Sequence, residues 1–206
     1  MADDHAMVCA GLAALVAKDP QIEVVGQCRD GLAVLNQIAA VKPDVLVLDI
    51  TMPGLNGLDV CREVRRRHPD TVILILTMHD EEQFIANALE NGASGYLLKE
   101  AAADELASAI HRVAKGELYL GPGIPQSALR MVGRAAEDPY DLLTTRERQV
   151  LQLIAEGKTN RQVAEELDLA VKTVDTHRTR LMRKLNIHDQ TSLVKFAIRK
   201  GVISLD

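Results

Sequence analysis

The chain has 206 residues, 47% hydrophobic and 26% charged, with a formal net charge of −5 at pH 7, which is enough to bury a core in one large domain or two small ones. No apolar run approaches the roughly 20 residues that cross a bilayer, and no basic stretch followed by an apolar core opens the chain. Cys9, Cys28 and Cys61 are odd in number and scattered, which excludes a disulfide frame and a zinc site and fits reduced thiols in the cytoplasm.

Charge is unevenly spread. Residues 1–138 carry 12 Lys+Arg against 20 Asp+Glu, whereas 139–206 carry 12 against 9, so the basic balance that suits a polyanion is confined to one end. Taken in chain order, only Met1-Ala2 precedes the acidic pair Asp3-Asp4. Beyond it, residues 7–18 read as a helix and 22–27 as a strand. A helix at 31–40, a strand at 45–48, a helix at 57–67 and a strand at 72–76 follow. A helix at 81–91, a strand at 95–98 and a helix at 102–115 complete this half. The runs Val45-Leu-Val-Leu48 and Val72-Ile-Leu-Ile-Leu76 are apolar on both faces, as strands covered by helices on each side must be. Leu106, Ile110 and Val113 give the last helix an apolar stripe. The alternation predicts βα units around a parallel sheet.

Residues 116–141 hold Gly116, Gly121, Pro122, Gly123, Pro125, Gly133 and Pro139, a density of breakers that predicts a linker, interrupted by a short helix near 126–132. Everything beyond is helical, at 145–156, 160–167, 171–185 and 190–200. Thr144 with Glu147 and Thr159 with Gln162 have capping-box spacing. Only Asp168-Leu-Ala170 separates the second of these helices from the third, the tight joint of a helix-turn-helix. Val174, Leu181 and Leu185 share one face of the third helix. Lys172, Arg178, Arg180, Arg183 and Lys184 supply charge for phosphates, while side chains near the helix N-terminus are placed to meet base edges.

The string Leu142-Leu-Thr-Thr-Arg-Glu-Arg-Gln-Val-Leu151, then Gly157-Lys-Thr-Asn-Arg-Gln-Val-Ala-Glu-Glu-Leu167, then Lys172-Thr-Val-Asp-Thr-His-Arg178 and Arg183-Lys-Leu185 resembles the LuxR-type DNA-binding domain. That resemblance implies a four-helix domain over 142–206 that binds double-stranded promoter DNA. It implies base contacts from Asp175, Thr176 and Thr179, and phosphate contacts from Lys172, Thr173, Arg178 and Lys184. It also implies a homodimer formed through Leu193, Val194 and Ala197 of the last helix. Two positions depart from the family. Ala170 stands where a Ser N-cap is usual, a loss worth about 1 kcal/mol, and Asp175 stands where many members carry Lys.

In the N-terminal half, Asp49 ends a predicted buried strand, the edge at which open α/β sheets bind ligands. Asp3 and Asp4 would add two carboxylates, a set suited to a hard cation such as Mg²⁺. Thr77 and Lys99 also end predicted strands and could hold phosphoryl oxygens. Singly, each of these residues is ordinary. Together with Met52-Pro-Gly54 and Gly95-Tyr-Leu-Leu-Lys99 they resemble the response-regulator receiver domain over residues 1–115. With the LuxR-type end, the resemblance is to the NarL-type subfamily.

The receiver resemblance implies a flavodoxin-like sheet of order 2-1-3-4-5 and phosphorylation of Asp49 by a sensor histidine kinase. Asp3, Asp4, Asp49 and the Thr51 carbonyl would serve Mg²⁺, and Thr77 and Tyr96 would form a switch pair. The protein is not expected to be an enzyme in its own right. In that family a strand of several apolar residues precedes the acidic pair. With Met1-Ala2 in its place, the expectation is a sheet without its first, central strand and an acidic pair on a loose end with weak Mg²⁺ affinity. An alternative stays open, in which the receiver is a protein-interaction module and DNA binding is independent of phosphate.

Overall fold

Three short apolar runs form the centre of a parallel sheet in the computed structural model, which describes residues 1–132 and 138–203. They are β1 (Val45–Leu48), β2 (Val72–Thr77) and β3 (Gly95–Leu98), joined at the edge by β4 (Tyr119–Leu120) in the order β1-β2-β3-β4. Registers pair Val47 with Leu74, Ile75 with Tyr96 and Gly95 with Tyr119, all parallel. Alternate residues point to opposite faces. Leu46, Leu48, Ile73, Ile75 and Tyr96 therefore join Val34, Ile38, Val60, Val64, Ile85 and Ala88 in one core. These come from α2 (Gly31–Val41), α3 (Gly57–Arg67) and α4 (Glu82–Glu90). Val47, Leu74, Leu76 and Leu97 meet Val16 of α1 (Ala6–Val16) and Leu106, Ala109 and Val113 of α5 (Ala102–Ala114) on the other face. Each such side chain taken fully out of water contributes about 1.5–3 kcal/mol.

Two junctions fix the loop after β1. Asn56 caps α3 by accepting from the Asp59 N–H at 2.9 Å. Gly57 is required there because a Cβ would lie 1.9 Å from the Asp49 carbonyl oxygen. The helix thus starts directly against the end of the strand that carries Asp49.

The start of the chain differs from expectation. Met1-Ala2 is not loose. Ala2 donates to the Val47 carbonyl and accepts from the Asp49 N–H, both at 2.9 Å. On its other side the Cys28 N–H donates to the Met1 carbonyl at 2.9 Å, and the Asp3 N–H to the Cys28 carbonyl at 3.1 Å. The terminal ammonium donates to the Gly26 carbonyl at 2.9 Å. Ala2 thereby makes isolated parallel bridges to Cys28 and Leu48, a two-residue stub between β1 and the segment before α2. The strand expected at 22–27 is not formed. Between that segment and β1 lies a cavity of about 430 Å³ lined by Ile22, Val24, Val34, Ile38, Val45 and Ile110 among others, so the segment has no ladder partner there.

The stretch read as linker also begins later than expected. Tyr119 and Leu120 extend the sheet, and Ala128, in the short 3₁₀ turn Gln126–Arg130, is buried in the receiver core. The chain divides into Met1–Arg134 and Ala135–Asp206. Gly133, predicted as a breaker, lies outside the described residues.

The second unit has α6 (Thr145–Ala155), α7 (Asn160–Glu166), α8 (Val171–Leu185) and α9 (Gln190–Arg199). Both capping boxes form, with Thr144 and Glu147 on α6 and Thr159 and Gln162 on α7. Ala170 gives α8 no side-chain cap. Val174, Leu181 and Leu185 pack inward with Val150, Leu153, Ile154 and Val163. Leu193 and Ala197 are fully buried in that same core. They are therefore spent inside the domain, because the i, i+4 stripe of α9 is what closes the bundle, and they are not a free dimer face as expected.

Candidate functional site

Asp49 follows β1 with its side chain 4% exposed, and Lys99 follows β3. The Lys99 ammonium reaches the Asp49 carboxylate at 2.7 Å and the Asp3 carboxylate at 2.8 Å, with its own side chain 11% exposed. The parallel register puts the ends of β1 and β3 on one edge of the sheet, and the Ala2 stub brings Asp3 to the same edge. Burial pushes the Asp49 carboxyl above its ordinary range, partly offset by the hydrogen bond and charge of Lys99. Burial alone would lower the Lys99 ammonium, but its bonds to Asp3 and Asp49 outweigh it and the net direction is up. Lys99 thus holds the Asp49 and Asp3 carboxylates together through direct hydrogen bonds.

Thr77 ends β2 beside them. Its hydroxyl is buried against the Asp49 carboxylate, which it helps to hold in the charged form. Asp3, Asp4, His5 and Asp49 offer ligand atoms within 4.8 Å of one another. Three carboxylates facing one ammonium leave excess negative charge, and the carboxylate donors, though not the His5 ring nitrogen, are the hard oxygens that suit Mg²⁺. Tyr96 is fully buried, and its hydroxyl donates to the His79 carbonyl at 2.8 Å.

Sequence reading missed one partner here. His79 has a side chain only 16% exposed. It shares a 2.9 Å hydrogen bond with the Thr51 hydroxyl and stacks on Phe84 at 4.1 Å. The separation of 28 positions between Thr51 and His79 hid this pair, and only β1 and β2 lying side by side reveals it.

On α8 the side chains of Lys172, Asp175, Thr176 and Thr179 are exposed. Thr173 is half-buried at the helix start. The Thr176 hydroxyl donates to the Lys172 carbonyl and the Thr179 hydroxyl to the Asp175 carbonyl, both at 2.9 Å, leaving oxygen lone pairs outward. Arg178 donates to Asn160 at 3.0 Å and Gln190 at 3.3 Å. Lys184 donates to Glu147 at 2.6 Å and to the Leu142 carbonyl at 2.9 Å. These two cations, expected at phosphates, are engaged in bonds within the domain. Burial raises the Glu147 carboxyl, but Lys184 and the Thr144 N–H and hydroxyl outweigh it and depress its pKa.

The response regulator receiver domain model matches residues 1–111, and the model for bacterial regulatory proteins of the luxR family matches 141–197. The oxygen regulatory protein NreC of Staphylococcus carnosus is 37% identical over 98% of this chain and 97% of its own. A solved structure of two RcsB dimers bound to two parallel DNAs is 26% identical with a TM-score of 0.57, covering 97% of this chain and 96% of that one. The receiver domain of the putative response regulator NarL from Mycobacterium tuberculosis is 37% identical with a TM-score of 0.54, covering 56% of this chain and 94% of that one. An acid–lysine pocket at the sheet edge and a separate helix-turn-helix are therefore the two halves of one design, and the chain belongs to the response regulators that join a receiver domain to a LuxR-type DNA-binding domain.

Proposed function

We propose that this protein is a cytoplasmic transcription regulator whose binding to promoter DNA is controlled by phosphorylation of Asp49. The carrying observation is the buried Asp49 carboxylate paired with Lys99, with the buried Thr77 hydroxyl beside it. In this reading an Asp49 oxygen attacks the phosphorus of a phosphohistidine on a sensor kinase. The P–N bond breaks and the imidazole leaves to take a proton. Asp3, Asp4 and Asp49 with the Thr51 carbonyl would hold Mg²⁺, which supplies charge neutralisation for the incoming phosphoryl oxygens.

Lys99 exchanges part of its bond to Asp49 for a phosphoryl oxygen, and Thr77 turns its hydroxyl proton from Asp49 to another. Thr77 and Tyr96 act as the switch pair, and the faces of α4 and α5 report the change. The C-terminal domain reads DNA through Asp175, Thr176 and Thr179 and holds phosphates through Lys172, Thr173, Arg178 and Lys184, with the active species a homodimer.

Incubating the full chain with acetyl phosphate and Mg²⁺ and mapping the label by mass spectrometry tests the site. Label on the peptide carrying Asp49, lost in Asp49→Asn, is expected. Label elsewhere, or none, would refute the assignment.

A further inference from the structure

Asn160, the first residue of α7, has no role in the reading above, yet it stands between two of its DNA-facing side chains. Its amide donates to the Asp175 carboxylate, and its carbonyl accepts from Arg178 at 3.0 Å. A carboxylate can only accept and a guanidinium can only donate, so the charges at each end dictate which way the Asn160 amide points. Arg178 is itself fixed by Gln190 of α9 at 3.3 Å. The network therefore ties three helices to one exposed carboxylate five residues into α8. Its neighbours on the exposed face, Thr176 and Thr179, have their protons committed to helix carbonyls. This part of the helix thus presents acceptors, which are repelled by the N7 and O6 acceptors of guanine and suited to the N4 amino group of cytosine.

We propose that Asn160 and Arg178 are positioning residues that hold Asp175 as a reader of cytosine, so that each half-site carries a C·G pair at the base facing Asp175. The proposal rests on the DNA-binding reading of α8. It gives Arg178 an orienting role in place of a purely phosphate-contacting one.

The test is a binding-site selection with the full chain, treated with acetyl phosphate and Mg²⁺, followed by affinity measurements on the selected duplex with each base pair replaced in turn. The wild type is expected to select cytosine at one position per half-site and to lose roughly tenfold or more in affinity when that pair is changed. Asp175→Ala should flatten the preference at that position alone. Asn160→Ala should weaken it at the same position while leaving the helical circular dichroism and preferences at other positions unchanged, and Asn160→Gln should restore part of it. If Asp175→Ala selects the same sequence as the wild type, the proposal is overturned. It is also overturned if Asn160→Ala lowers affinity evenly at all positions. A wild type that selects no sequence at all would instead remove the DNA-binding reading beneath it.

Discussion

Replacing Lys99 by Met removes the ammonium that lies 2.7 Å from Asp49 and 2.8 Å from Asp3 and leaves two buried carboxylates facing one another. At an effective dielectric of about 20, one such contact is worth roughly 6 kcal/mol gross. Desolvation has consumed much of this, and breaking a buried pair from one side typically costs 3–5 kcal/mol. We expect Lys99→Met to lose about 3 kcal/mol in urea denaturation at pH 7 without Mg²⁺. The double variant Lys99→Met/Asp49→Asn should recover part of that loss, because one of the two stranded charges is gone and the repulsion with Asp3 with it.

The pH dependence follows from Asp49. Its folded pKa lies above the unfolded value, so the native state binds more protons in that interval and stability falls as pH rises through it. Without Lys99 the interval extends upward. The deficit should therefore grow from about pH 4 toward neutrality and shrink in acid. In the wild type, the stabilisation from the raised Lys99 pKa is present below the unfolded lysine value and lost as pH rises through the folded one. Added Mg²⁺ should restore the variant in proportion to its concentration. A loss below about 1 kcal/mol, or one independent of pH, would refute the reasoning.

Ala170→Ser should raise the stability of the C-terminal domain by about 1 kcal/mol, read as a shift in its unfolding midpoint, since α8 begins without a side-chain cap. Gly57→Ala should cost about 3 kcal/mol or prevent receiver folding, because the added Cβ meets the Asp49 carbonyl at 1.9 Å; a native-like melting temperature would contradict the geometry. Lys184→Ala should lower both the stability of the C-terminal domain and DNA affinity, whereas Lys172→Ala should spare stability while weakening binding and reducing its salt slope. The depressed Glu147 pKa stabilises above the unfolded carboxylate value and is lost as pH falls through the folded one. Glu147→Gln should therefore remove part of the acid sensitivity of that domain's melting.

Periodicity and caps made most of the fold readable. Val45–Leu48 and Val72–Thr77 stand where two-faced apolar runs put them, the second one residue longer than read, and both capping boxes form where Thr144 and Thr159 signal them. Tyr119–Leu120 escaped because two residues between glycines carry no period, and their pairing with β3 depends on the finished sheet. The segment 22–27 has strand composition, but a strand needs a partner along its whole edge, and the Met1-Ala2 stub supplies only the Cys28 end. In the site, Asp49, Thr77 and Lys99 were legible because strand ends are legible. The stub's hold on Asp3, the Thr51–His79 bond and the second occupations of Arg178 and Lys184 were not, since each joins residues that only tertiary packing brings together.

The most direct test of a phosphate-gated regulator is the affinity of the full chain for its selected promoter duplex, measured with and without acetyl phosphate and Mg²⁺, for the wild type and Asp49→Ala. The account predicts that the phosphodonor tightens wild-type binding and promotes dimerisation, and that Asp49→Ala remains at the weak, monomeric level under both conditions. Equal affinity for both proteins, unmoved by the phosphodonor, would contradict it.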